Sequence, residues 1–246
     1  MTHGKIALVT GASRGIGRAA ALALAQDGVR VLVHYGSGAT EAEAVVEQIR
    51  ATGGWAQAIG ANLALPDGPA QLATQVRAFA GERLDILVAN AGIAKTGTIE
   101  ETSLEDFDAL FAINVRAPYF LVQQLLPALG EGSSVIFISS LVAQAAFEGL
   151  SAYASTKGAI DTLVRHFAAE FGPRGIRVNA VGPGVVATDM SAFVRTDEGR
   201  DFTLGFQALR RVAQPDDIAD AIVFLASDAA RWISGDKLRV DGGSRL

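Results

Sequence analysis

A run of branched apolar residues, Lys5–Thr10 (KIALVT), empties into Gly11-Ala-Ser-Arg-Gly15-Ile-Gly17 and then into an alanine-rich amphipathic stretch ending at Asp27-Gly28. No other feature restricts the fold as much. A short continuous apolar run suits a strand covered on both faces, the condition of a parallel sheet. Parallel strands need long crossovers, usually helical, so strand, turn and helix in this order commit the chain to βαβ units. Glycines without Cβ let a ligand approach the backbone, and a helix N-terminus offers unpaired N–H groups and a positive dipole end. Together they form a cradle for a nucleotide's phosphates. The same glycines would also serve a plain turn at positive φ.

The pattern then repeats. Strands are expected at Val29–Tyr35, Trp55–Gly60, Leu84–Ala89, Val135–Ser139, Arg177–Val181 and Lys237–Val240. Helices are expected at Thr40–Thr52, Asp67–Ala80, Ala152–Gly172 and Pro215–Ser227, with one long helix from Leu104 to Leu129. No linker-like break interrupts the alternation, which implies a single α/β domain, a doubly wound parallel sheet of about seven strands with helices on both faces. The segment 189–214 stands apart, mixing Met190, Phe193, Phe202, Phe206 and Leu209 with charges in no clear period. It reads as an apolar-lined lid.

Composition narrows the function. Half of the 246 residues are hydrophobic, yet no apolar run approaches the roughly 20 residues of a membrane span. Met1–Gly4 leads straight into the first strand, with no room for a leader, so a cytoplasmic location is expected. Cysteine is absent, which removes thiol nucleophiles and thiolate metal sites. His3, His34 and His166 have no metal-ligand spacing, so no metal site is expected. A net charge of −5 without a basic block argues against nucleic acid.

Two clusters carry chemistry. In NAD-binding βαβ units an acid typically ends the second strand and binds the ribose 2′-hydroxyl. Here that place reads His34-Tyr35-Gly36-Ser37, without an acid, while Arg14 sits inside the glycine turn. An arginine there also fits a solvated surface, but the missing acid and the present base both favour a 2′-phosphate, hence NADP(H). Further on, Tyr153 and Lys157 lie four residues apart, on one face if the segment is helical. An ammonium beside a phenol favours the phenolate, so a lowered Tyr153 pKa is expected. Ser139 and Ser140 end the preceding strand, where a hydroxyl could bond a substrate oxygen while Tyr153 gives or takes a proton.

From Lys5 to Gly243 these pieces resemble the short-chain dehydrogenase/reductase family. The matching motifs are T-G-x-x-x-G-x-G at Thr10–Gly17, N-A-G at Asn90–Gly92, and Asn114 in the long helix. Ser140 follows, thirteen residues before Tyr153, then Y-x-x-x-K at Tyr153–Lys157, Pro183-Gly184 with Thr188 after it, and Asp241-Gly242-Gly243. The resemblance implies a Rossmann-type fold and hydride transfer between NADP(H) and a carbonyl or secondary alcohol. Tyr153 would be the general acid in reduction and the base in oxidation, and Lys157 would lower its pKa and hold the nicotinamide ribose hydroxyls. Ser140 would orient the carbonyl, and Asn114 would hold a water in a proton relay. Gly11, Ser13, Arg14, Gly15, Ile16, Gly17, His34, Tyr35 and Ser37 would line the adenosine and phosphate side. Asn62 and Leu63 would meet the adenine, and Asn90, Ala91 and Gly92 would pass beneath the cofactor. Pro183, Gly184, Val186 and Thr188 would fix the carboxamide.

The family also implies a homotetramer joined through the helices that carry Asn114 and Tyr153. Two positions depart from the pattern. Asn62 replaces the family's usual Asp, and the nearest relatives in pattern, 3-oxoacyl-[acyl carrier protein] reductases, are commonly basic where this chain has Glu131, although Arg174 matches one of their basic positions. A ketone or 3-oxoacyl reductase is therefore the leading expectation. A sugar or polyol dehydrogenase and a non-catalytic NADP-sensing protein are the alternatives.

Overall fold

The computed structural model describes residues 4–245; Met1–His3, with the reading that no leader precedes the first strand, and Leu246 lie outside. Among the described residues seven strands form one parallel sheet in the order β3-β2-β1-β4-β5-β6-β7. The strands are β1 (Ile6–Val9), β2 (Arg30–Tyr35), β3 (Ala56–Gly60), β4 (Ile86–Ala89), β5 (Ser134–Ile138), β6 (Arg177–Pro183) and β7 (Lys237–Val240). Alternate residues feed two cores. Val9, Val31, Val33 and Val88 face one side, where α1 (Gly15–Gln26), α2 (Ala39–Ala51) and α8 (Pro215–Ala226) pack. Leu8, Leu32, Leu87 and Phe137 face the other, against α3 (Gly68–Ala80), α5 (Ala117–Leu125) and α6 (Ser151–Phe171). Each fully buried Leu or Phe contributes about 1.5–3 kcal/mol of transfer free energy.

The strand order reverses between β1 and β4, so the crevice at their carboxyl ends is the switch point where ligands of such sheets bind. The glycine turn and Asn90–Gly92 open onto it.

Two departures from the sequence reading bear on the site. The long helix expected from Leu104 to Leu129 is interrupted. α4 (Leu104–Phe111) runs into a π turn at Ala112–Arg116 before α5 begins, and a 3-10 turn ends it at Leu126–Ala128. A π turn inserts one extra residue without breaking the helix and is frequent at functional sites. The 189–214 segment is ordered, as a kinked 3-10 stretch (Asp189–Arg195) followed by α7 (Asp197–Gly205). Thr196 caps α7 by accepting the Gly199 N–H at 3.1 Å. The two ends of the segment are tied together, the Ala187 N–H donating to Ala213 O at 2.8 Å.

Candidate active site

The glycine turn is held from two directions. The Thr10 hydroxyl oxygen accepts the N–H groups of Asn90 and Ala91 at 3.0 and 2.9 Å. In return Asn90 Nδ2 donates to the carbonyls of Thr10 and Gly11 at 2.8 and 3.1 Å. A Cβ on Gly17 would fall on Gly11 O and Asn90 Nδ2, and one on Gly11, at φ +63°, would stand 2.9 Å from Ala91 Cα. Both positions require glycine. Arg14, the N-cap of α1, is extended and gives no side-chain cap, so the first N–H groups of α1 face the crevice unpaired by it. A backbone brought this close, at a helix start that lacks its own cap, fits the pyrophosphate of a dinucleotide. Thr188 comes from the opposite side, its methyl 3.4 Å from where a Cβ on Gly15 would lie.

The end of β2 corrects several expectations. The sequence reading puts His34 among the cofactor contacts; the structure buries its ring, 2% exposed, inside the sheet. Nδ1 accepts the Gly11 N–H at 3.1 Å and Nε2 lies 3.1 Å from Ala61 O, an arrangement that requires the neutral Nε2–H tautomer. His34 therefore shapes the glycine turn and is closed to a ligand. The Tyr35 ring lies across Gly60. Asn90, too, spends its side-chain amide on the glycine turn. Asn62 turns its Oδ1 back to the Ala64 N–H at 3.0 Å. Arg14 is free to reach a ligand, its side chain 72% exposed with Asp189 Oδ2 at 3.9 Å. Ser13 and exposed Ser37 lie nearby, and one acid the sequence reading passed over, Glu41, approaches the same corner beside Gly38.

Burial pushes the His34 imidazole down to about 4, against a small upward pull from Ala61 O. The native ring thus stays neutral where the unfolded one, near 6.5, takes a proton, so stability is full above pH 6.5 and falls as pH drops towards 4. The loss attributable to this ring is about 2 kcal/mol by pH 5. Urea unfolding at pH 7 and pH 5 should show wild type losing that much more than His34→Gln; equal losses would refute the assignment.

Tyr153 and Lys157 share one face of α6, and Ser140 ends the chain's path out of β5. The Ser140 hydroxyl lies within reach of the Tyr153 phenol. The Ser140 Oγ also accepts the Val142 N–H at 3.3 Å, which seats it at the head of a short 3-10 turn, Leu141–Ala143. Lys157 is only 6% exposed and donates to Ile138 O at 2.8 Å.

The expected lowering of the Tyr153 pKa is not what this geometry produces. Burial dominates and pushes the phenol up to about 12, with the Ser140 bond pulling slightly the other way. The Lys157 ammonium sits 5.6 Å from the ring centroid and gives a hydrogen to the backbone, so it does little for a phenolate. Burial brings Lys157 itself down to about 8, while the charge of Asp161 holds it up. At neutral pH the pair is thus a protonated phenol beside a cation.

Asn114 lies in the π turn and is buried. Its Oδ1 accepts the Ile93 N–H at 2.9 Å, and its Nδ2 donates to Ile93 O at 2.9 Å and to the Thr156 hydroxyl at 3.2 Å. Both amide hydrogens are taken, so a relay cannot use them as donors. The side chain instead ties the loop after Asn90 to α6. Val186 is buried and bridges Ala213, while Pro183 and Gly184 end β6 against Asp241. Two residues the sequence reading did not single out, Asp161 and Lys237, stand beside the pair, and Thr10, quoted there only as a motif residue, braces the turn.

Comparison with known proteins agrees with this geometry. The family model described as Enoyl-(Acyl carrier protein) reductase matches residues 11–245. Versicolorin reductase 1 of Aspergillus parasiticus is 41% identical, covering 98% of this chain and 96% of its own. Trihydroxynaphthalene reductase of Colletotrichum orbiculare is 38% identical over 98% of this chain and 89% of its own. Among solved structures, the angucycline C-6 ketoreductase LanV with bound NADP is 40% identical with a TM-score of 0.95, covering 100% of this chain and 97% of that one. A motif set carried by the crevice of a doubly wound sheet and a match across nearly the whole chain lead to one conclusion: the chain belongs to the short-chain dehydrogenase/reductase family and is an NAD(P)-dependent oxidoreductase of carbonyl and alcohol groups.

Proposed function

We propose that the protein is an NADP(H)-dependent reductase of ketones carried on aromatic ring systems, with Tyr153 as its proton donor. The observation that carries this reading is the placement of Tyr153 and buried Lys157 on one face of α6, with Lys157 Nζ 3.8 Å from where a Cβ on Gly92 would lie at the crevice. A nicotinamide cofactor held in the glycine cradle would supply the hydride. Ser140 orients the carbonyl oxygen and Tyr153 delivers its proton to that oxygen as charge develops. Lys157 holds the ribose hydroxyls, Arg14 receives the 2′-phosphate, and Val186 and Thr188 fix the carboxamide. The segment 189–214, tied at its two ends, acts as the lid.

Aromatic substrates are favoured by the rings around the approach. Phe147, in the loop between Ser140 and Tyr153, meets Phe206 of the lid at 5.3 Å, and Phe206 meets Phe202 at 5.4 Å. Arg245 stands over Phe147 and Phe206, 4.7 and 5.6 Å from their centroids, so the wall is both aromatic and cationic. The name trihydroxynaphthalene reductase is that of a relative acting on a hydroxylated two-ring aromatic. A carrier-protein substrate is disfavoured. Arg174 spends its guanidinium on the carbonyls of Leu126 and Leu129, and Glu131 packs on Gly175 in the same turn.

Self-association completes the proposal. Tyr119 and Phe120 are exposed on the α4–α5 face around a hollow of about 530 Å³ lined also by Phe111 and Val115, and exposed Phe107 stacks on Phe111. We assign this face to a neighbouring subunit in a homotetramer. Among the described residues no helix is long and apolar enough to cross a membrane.

A panel read by NADPH oxidation tests the substrate class. The expected order of kcat/KM is 1-tetralone above acetoacetyl-CoA, with a carrier-linked 3-oxoacyl substrate no better than the latter. Preference for the carrier-linked form, or turnover confined to polyols with NADP+, would overturn the reading.

A further inference from the structure

The carboxylate of Asp161 is gripped from both sides below the Tyr153–Lys157 pair. Its Oδ1 accepts the buried Ser139 hydroxyl at 2.5 Å, and its Oδ2 accepts Lys237 Nζ, across from β7, at 2.5 Å. Both partners of that ion pair are nearly buried, with side chains 11% and 13% exposed. The aliphatic stem of Lys237 lies along Gly182 of β6, so the ammonium has little freedom to leave. Ser139 is the residue before Ser140, and its own N–H is fixed to Val181 O at 2.8 Å. One residue earlier, Ile138 O takes the hydrogen bond from Lys157. Successive turns of α6 therefore grip successive residues at the end of β5. Lys157 holds residue 138 and Asp161 holds residue 139.

As a stabilising device alone, a buried ion pair is weak, because desolvation offsets most of the Coulomb gain. Its position gives it another use. We infer that Asp161 is a positioning residue of the reductase site: clamped by Lys237 and Ser139, it sets the strand end that carries Ser140 and places a fixed negative charge one helical turn from Lys157. Lys237 tempers that charge. The two members of the pair thus act on Lys157 with opposite sign, Asp161 holding its proton on and Lys237 working against it. Burial pulls Lys157 down, and the charge of Asp161 opposes this.

Few other charges reach this spot. Tyr153 is on the same helix, as is Arg165, which is exposed and donates to the Thr162 hydroxyl. Asp236 accepts the Lys237 N–H, and β5 and the 3-10 turn after it carry no charged side chain. Arg177 of β6 donates to the carbonyls of Leu225 and Ser227, and Arg116 of the π turn donates to Ala64 O. On α4, Asp106 pairs with Lys95, while Glu105 and Asp108 are exposed. Arg174, beyond α6, is spent on Leu126 and Leu129.

The chain holds four lysines, Lys5, Lys95, Lys157 and Lys237, which makes a direct measurement practical. Apoprotein labelled with 13C at lysine Cε is titrated by NMR, the Lys157 signal being assigned by its loss in Lys157→Arg. Asp161→Asn should lower the Lys157 midpoint by about one unit and Lys237→Met should raise it. Loosening of the packing would do the reverse in Asp161→Asn, since admitted water carries a buried lysine up towards its ordinary value. An Asp161→Asn midpoint that is unmoved or raised overturns the inference. Should that variant not fold, Lys237→Met decides, and a midpoint unmoved or lowered overturns it.

The inference rests on the proposed role of Lys157 in turnover for its kinetic half. The alkaline limb of kcat for ketone reduction should move in each variant with the NMR midpoint. A midpoint that shifts while the limb stays still contradicts the role given to Lys157 and leaves the electrostatic clamp standing, so the two failures are distinguishable.

Discussion

Tyr153→Phe is expected to bring kcat for ketone reduction below about 1% of wild type while NADPH binding, followed by fluorescence, changes less than about twofold. General acid catalysis of this kind is worth roughly 10²–10⁴-fold. The substitution removes one oxygen and nothing else. The ring stays in place, and Lys157 keeps its bond to Ile138 O. What disappears is the proton that the buried phenol keeps at neutral pH, and with it the partner of Ser140. Serine alone can orient a carbonyl but has no proton of suitable acidity to deliver. Retention of more than about a tenth of kcat would show that the proton comes from elsewhere, water included.

The second large effect concerns the cofactor. NADPH carries a 2′-phosphate that NADH lacks, and Arg14 is the exposed guanidinium at the start of α1. A charge-assisted contact of this kind is worth about 1.5–3 kcal/mol, roughly a ten- to hundredfold preference. Arg14→Ala should raise KM for NADPH by that factor and leave KM for NADH nearly unchanged. Tyr35→Asp should move preference towards NADH, because a carboxylate at the end of β2 repels the phosphate and accepts the ribose hydroxyl. Glu41 and Asp189 already place acids near this corner, so the preference depends on Arg14 outweighing them. A wild-type enzyme with higher kcat/KM for NADH would contradict this account of the pocket.

Much of this was legible in the chain because the signals are local. Apolar runs mark all seven strands to within two residues, and Pro215 with Asp217 three residues past Gln214 announces the start of α8. Tyr153 and Lys157 are legible for the same reason, being joined by a single helical turn. What stayed hidden depends on partners distant in sequence. Thr10 and Asn90 brace one another across 80 residues, and nothing in either local pattern says which side chain holds which loop. His34 looks like a ligand contact at a strand end until the register of β2 turns its ring inward under Gly11. The π turn at Ala112–Arg116 escaped because one inserted residue barely shifts an apolar period. The segment 189–214 lacked a period because it is a 3-10 stretch kinked at Ser191, followed by the short helix α7 and irregular chain. The Tyr153 pKa was misjudged because desolvation, a property of the packed core, outweighs the nearby cation. Asp161, by contrast, stands four residues after Lys157 and could have been noticed by extending the helical face one more turn.

The most direct test of the account follows the hydride and the proton together. Wild-type protein is incubated with NADPH deuterated at nicotinamide C4, in each of its two stereochemical forms, and with 1-tetralone in ordinary water. The alcohol is then examined by mass spectrometry. The account predicts NADPH consumption matched by alcohol, one deuterium on the carbinol carbon from one of the two forms only, and loss of that product in Tyr153→Phe. Alcohol without deuterium from either form, or an unchanged yield in Tyr153→Phe, would contradict it.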